Sequence, residues 1–258
     1  MYNKNMNIND RPYEQKLLKN IVEVINDAVF VTLVGAYLYG SLATGDFVSN
    51  QSDVDLLFVV ENDIDEKLLR SLTTLHSSFN SQHESWGKRI DVAYVAVSDL
   101  KTVNSRPYSA IVSDGKGSLE IVDAPEYYLI DWFKVQERSI KLLGPEIKTM
   151  MPHITVRDFK KVIRNYMLTW KDKTSSATRR GLQAYIVLTM CRSLYAYEHG
   201  ENVSKKQGAQ WATSQYPQWN DLIDKSVSRS RISENSDGVD LANQKQVQNF
   251  VKYILSKI

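Results

Sequence analysis

The sequence has little that would cross-link a chain or hold it in a membrane. Its one cysteine, Cys191, leaves no partner for an intrachain disulfide and no thiolate cluster for a metal. No stretch reaches about 18 consecutive apolar residues, so no membrane-spanning helix is expected. The N-terminal residues are polar and lack the apolar run of a signal peptide, which points to a cytoplasmic protein. Thirty-two lysines and arginines nearly balance thirty aspartates and glutamates. A strong nucleic-acid binder would carry a larger positive excess, so a nucleic-acid partner is not expected. The histidines His76, His83, His153 and His199 show no metal-ligand spacing. No internal repeat or low-complexity tract is present.

What is present is an ordinary globular composition: 258 residues, 43% apolar and 24% charged. That is enough for one large domain or two small ones. The stretch LYGSLATGDFVSNQSDVDLLFVV, residues 38–60, stands out. Gly40-Ser41 forms a tight strand-to-helix turn, and Asp53-Val54-Asp55 leads into an apolar strand. Side chains alternate along a strand, so Asp53 and Asp55 point to one face. Adjacent carboxylates repel unless a cation lies between them. Gly40 lets a polyphosphate approach the backbone, and the Ser41 hydroxyl can help hold it. The combination suits a metal–nucleotide.

The rest of the chain can be read in order. Residues 11–27 put Leu17, Leu18, Ile21, Val22 and Ile25 at helical spacing, with Pro12 in the first turn. Residues 29–39 are rich in β-formers, and 41–44 begins a short helix. Residues 54–60 are too uniformly apolar for a surface strand. A helix is expected over 65–79 and a strand over 90–97. In that strand Asp91 is in phase with Ala93, Val95 and Val97, so a carboxylate interrupts an apolar face. Residues 98–125 show turn signals at Arg106-Pro107 and 114–117 but no clear element. Residues 126–143 read as one aromatic-rich helix closed by Gly144-Pro145.

The domain boundary is expected at 148–152. Beyond it the pattern is helical. Thr155 and Asp158 cap a helix to about 170, and 171–178 reads as a polar linker. The longest helix, 179–199, stops at Gly200. Ser204 caps the next, to about 216. Another follows over 217–229, then a polar loop over 230–240 and a last helix over 241–258.

The Gly-Ser turn, the spacer and the Asp-Val-Asp strand resemble the signature of the nucleotidyltransferase superfamily with the DNA polymerase β-like fold. Asp91 fits the place of that superfamily's third carboxylate. Residues 185–212, YIVLTMCRSLYAYEHGENVSKKQGAQWA, are similar to the helical domain of the aminoglycoside (streptomycin/spectinomycin) adenylyltransferases. The resemblance implies an α+β chain. It would have an N-terminal nucleotidyltransferase domain over 1–150, a mixed sheet with flanking helices, and a C-terminal α-helical bundle over 151–258.

It also implies ATP as donor, Mg2+ as cofactor and a small hydroxylated acceptor. Asp53 and Asp55 would be metal ligands. Asp91 would be a third ligand, the general base, or both; the adenylyltransferases usually carry glutamate there. The alternative for Asp91 is an ion pair with Lys88 or Arg89. Gly40, Ser41, Arg192 and Lys205 would hold the nucleotide. Leu182 stands near a position that is acidic in streptomycin-modifying members, and no tryptophan lies between Trp86 and Trp132. A spectinomycin-like acceptor is therefore favoured over streptomycin. Other readings fit the same signature: a regulatory, antitoxin-like protein, and nucleotidyl transfer to another small molecule or to RNA.

Overall fold

The computed structural model describes residues 8–49, 52–113, 118–229 and 238–258. The turn expected over 114–117 and most of the loop expected over 230–240 lie outside these. The chain divides into two compact units, Met1–Ile154 and Thr155–Ile258. Among the described residues no helix is long and apolar enough to cross a membrane.

The first unit is built on a six-stranded mixed sheet in the order β5-β4-β3-β2-β1-β6. Its strands are β1 (Leu33–Tyr39), β2 (Val54–Val60), β3 (Ile90–Ala96), β4 (Ser109–Ser113), β5 (Leu119–Asp123) and β6 (Ile140–Leu143). Only β2 and β3 run parallel; the other pairs are antiparallel. The crossover between β2 and β3 is helix α3 (Glu66–Gln82), started by Asp65, whose carboxylate accepts the Leu68 amide. Leu56, Phe58 and Val60 share a core with Leu17, Leu18, Ile21 and Ile25 of α1 (Pro12–Asn26) and Leu72 of α3. Leu57 and Val59 are equally buried on the opposite face. Both faces are therefore covered, which explains the unbroken apolar run of β2.

Two expectations are overturned here. Residues 126–143 are not one helix. A single 3-10 turn leads into α5 (Leu129–Arg138), and the chain then extends at Ser139 and forms β6. The open edge of β1 needs hydrogen-bond partners, and Ile140–Leu143 supplies them antiparallel; that demand outweighs local helical pattern. Residues 98–125, where no clear element was expected, hold the β4–β5 hairpin and most of α4 (Val97–Leu100), which takes Val97 from the strand expected over 90–97.

The second unit is a bundle. It comprises α6 (Val156–Lys173), α7 (Arg180–His199), α8 (Lys205–Gln215), α9 (Asn220–Arg229) and α10 (Leu241–Leu255). Thr155 caps α6 by accepting the Asp158 amide. The helix runs through Lys173, so the linker expected over 171–178 begins later. Ser204 and Gln207 form a reciprocal capping box on α8. α7 is buried on most of its circumference because α6, α8, α9 and α10 all pack against it.

Candidate active site

The topology gathers the sheet-borne candidate residues of the first unit at one edge. β1 ends where β2 begins, with Tyr39 opposite Asp55, and β2 and β3 start together, with Asp55 opposite Asp91. Gly40–Thr44 forms a one-turn helix, α2, directly after β1. By strand alternation Asp53, Asp55 and Asp91 share the face of Leu57, Val59 and Val95, away from α1 and α3.

Gly40 is required where it stands. Its φ is +70°, and a Cβ there would lie 2.7 Å from Asp55 Cγ. No L side chain takes that conformation and that space together. Gly40 thus lets the turn close down on the Asp55 carboxylate. Ser41 is half-buried in the first turn of α2, and its hydroxyl has no hydrogen-bond partner among the described residues.

Asp55 is half-buried. Burial pushes its pKa up to about 7, against the pull of Lys134, and Asp91, Asp131 and Asp53 add to the rise. Asp91 is exposed, not buried as its phase with Ala93 and Val95 suggested, because it is only the second residue of β3 and opens onto the rim. The protein mass around that rim still raises its pKa. Ser113, at the end of β4, donates a hydrogen bond to Asp91 Oδ1, which opposes the rise. Neither Lys88 nor Arg89 pairs with Asp91 among the described residues. Arg89 instead donates to the Ser52 carbonyl at 2.5 Å.

Two charged residues belong to this site that sequence reasoning did not place. Asp131 and Lys134 lie on α5, which packs against β1 and α2. They pair at 2.6 Å, and both act electrostatically on Asp55 and Asp91. An aspartate three residues before a lysine on a helix ordinarily reads as a solvated pair. The fact that Lys134 is 17% exposed and Asp131 35% marks it as something else.

The donors at this edge are all oxygens, which suits a hard cation such as Mg2+. Among the described residues no three acidic, histidine or cysteine side chains form a ready metal cluster. Mg2+ ordinarily takes only one or two carboxylates and completes its shell with water and phosphate oxygens. The Asp53–Asp55 pair, with the Asp55 carboxyl pushed up to about 7 by burial and by the neighbouring acids despite Lys134, fits that requirement.

Arg192 and Lys205 lie in the second unit. Arg192, half-buried on α7, makes no ion pair among the described residues and acts electrostatically on Tyr166. Gly208 of α8 packs onto its backbone: a Cβ there would lie 2.6 Å from Arg192 Cα. Lys205, one turn before Gly208, places Nζ 4.2 Å from the ring centre of Tyr185, two turns before Arg192. The two cations therefore border the same α7–α8 crossing.

This fold and this acidic sheet edge define a class, and comparison with known proteins agrees. Residues 18–118 match the nucleotidyltransferase domain family, and the chain belongs to the nucleotidyltransferase superfamily. Residues 149–257 match the family described as the C-terminal domain of aminoglycoside adenylyltransferases. The chain is thus an enzyme of the aminoglycoside adenylyltransferase-like kind. A spectinomycin 9-adenylyltransferase of Campylobacter jejuni is 25% identical over 221 residues, 83% of this chain and 82% of that protein. One from Staphylococcus aureus is 23% identical over 207 residues, 76% of each. Among solved structures, a spectinomycin adenyltransferase from Enterococcus faecialis with ATP and spectinomycin shares the fold. Its TM-score is 0.70 at 15% identity, covering 95% of this chain and 98% of that one.

Proposed function

We propose that the protein transfers AMP from ATP to a hydroxyl of an aminocyclitol or aminoglycoside, with spectinomycin-like acceptors preferred to streptomycin. The observation that carries this is the alignment of Asp55 with Asp91 across parallel strands, beneath a glycine turn that only glycine can make. Residues 1–150 would act as the nucleotidyltransferase domain and 151–258 as the helical domain.

Asp53 and Asp55 would hold Mg2+, which when bound neutralises charge on the triphosphate. Ser41 offers its unengaged hydroxyl to a phosphate oxygen, and Arg192 and Lys205 supply positive charge for the phosphates. Asp91 is the general base. Ser113 occupies Oδ1, so Oδ2 is left to take the proton of the acceptor hydroxyl as that oxygen attacks the α-phosphate. The Asp131–Lys134 pair limits how much negative charge the edge carries before nucleotide arrives. Asp131 and Asp91 also make the rim attractive to a cationic acceptor.

The test is pyrophosphate release with ATP, Mg2+ and a panel of aminocyclitols and aminoglycosides. Turnover is expected with spectinomycin and not with Asp53→Ala. Equal rates for wild type and Asp53→Ala on every acceptor would end this reading.

A further inference from the structure

Asp53 stands between two peptide groups, and one residue holds both. The Ser52 carbonyl accepts Nη2 of Arg89 at 2.5 Å. The Val54 amide donates to the Arg89 carbonyl at 2.7 Å. Each peptide group is planar, so two held planes set φ and ψ of the residue between them and the direction of its Cβ. Arg89 in turn lies two residues before Asp91. The same residue thus ties the start of β2 to the start of β3, where the acids face one another.

The Arg89 guanidinium is itself fixed. Its Cζ lies 4.5 Å from the Trp86 ring centre. Trp86 is buried and stacks on Phe47, with centroids 6.2 Å apart and planes at 20°. Arg11 lies over Phe47 at 5.0 Å and donates to the Phe47 carbonyl at 3.1 Å. The result is a stack of cation, ring, ring and cation. Its two ends hold backbone carbonyls at residues 47 and 52, both ahead of β2 in the chain. Arg89 Nε is buried without a hydrogen-bond partner, and Arg89 pairs with no acid among the described residues. Its work here is done by a flat, forked donor against a ring, which lysine cannot copy.

We propose that Arg89 is a positioning residue for Asp53, aiming that carboxylate at the metal–nucleotide through its stacked, planar guanidinium rather than its charge. This rests on the nucleotidyl-transfer reading above. The experiment titrates manganese into protein holding a non-hydrolysable ATP analogue and follows free Mn(II) by electron paramagnetic resonance. It compares wild type with Arg89→Lys, Phe47→Leu and the surface variant Arg106→Lys. Arg89→Lys should weaken manganese binding by about tenfold, as expected for losing one well-aligned hydrogen bond while the charge is kept. Phe47→Leu, which removes one layer of the stack, should weaken it by about threefold. Arg106→Lys should leave it unchanged. In turnover, the metal concentration for half-maximal rate should rise in Arg89→Lys by about the same tenfold factor, while the rate at saturating metal falls far less. If Arg89→Lys binds manganese and analogue as wild type does, the proposal is overturned and the nucleotidyl-transfer reading stands. If wild type binds no manganese with the analogue, that reading fails and takes this one with it. Should Arg89→Lys not fold, Phe47→Leu decides alone, and unchanged manganese binding in it overturns the proposal.

Discussion

Replacing Asp55 with asparagine should stabilise the ligand-free protein while abolishing transfer, and the gain should grow with pH. In the folded chain Asp55 titrates near 7 instead of the ordinary 3.8, because burial and the neighbouring acids oppose its charge. A carboxyl that binds its proton more tightly when folded costs stability as pH rises from the unfolded to the folded pKa. Its contribution is complete below about 3.8 and gone above about 7. Asparagine does not titrate, so the gap between variant and wild type follows that one group. From pH 5 to pH 7 the interval is two units, each worth about 1.36 kcal/mol, so the gap should widen by up to about 2.7 kcal/mol. For a unit of this size that is on the order of 5–10 °C in Tm. The assay is thermal unfolding of both proteins in chelator at pH 5 and pH 8. Adding Mg2+ and ATP should then stabilise wild type at pH 8 and narrow the gap. A gap that is the same at both pH values would refute the reasoning, since it would mean that Asp55 is not held against its charge.

Three further outcomes follow from the geometry. Gly40→Ala puts a Cβ into the Asp55 carboxylate at a φ of +70°; it should cost at least about 1–2 kcal/mol in urea unfolding and lower nucleotide affinity measured by calorimetry. Ser113→Ala removes the hydrogen bond that opposes the rise of Asp91's pKa. The base would then protonate at higher pH, and the acid limb of kcat/KM should move up by about one unit. His76 is buried against Tyr94 with Nε2 2.6 Å from the hydroxyl, and burial lowers its pKa to about 4. Its stabilising contribution is whole above pH 6.5 and lost as pH falls toward 4. His76→Phe should flatten that acid-side loss in thermal unfolding, at a cost at pH 7 of about 1–3 kcal/mol for the Tyr94 hydroxyl left unpaired.

The parts of the fold that were legible are those with one strong local cause. The unbroken apolar run of β2 marks a strand covered on both faces, and Asp53 and Asp55 are read from its two-residue period. Thr155, Gly200 and Ser204 announce helix ends by chemistry confined to a single turn. What escaped depends on partners distant in sequence. Ile140–Leu143 continues a helical pattern and becomes a strand only because β1 presents an open edge. The β4–β5 hairpin is made of two five-residue strands with modest apolar content. At the site, Asp131 and Lys134 look like a surface pair until α5 packs over β1. Arg89 reads as a counter-ion for Asp91, yet its guanidinium turns to Trp86 and the Ser52 carbonyl. Asp91 is in phase with a buried face but close enough to the strand start to open onto the rim.

The most direct test of nucleotidyl transfer follows the label of ATP in two forms, one labelled at the α-phosphate and one at the γ-phosphate, with Mg2+ and spectinomycin. The account predicts that the acceptor gains the α label and never the γ label, and that Asp53→Ala leaves it unlabelled. Label from the γ position on the acceptor, or undiminished α transfer by Asp53→Ala, would contradict it.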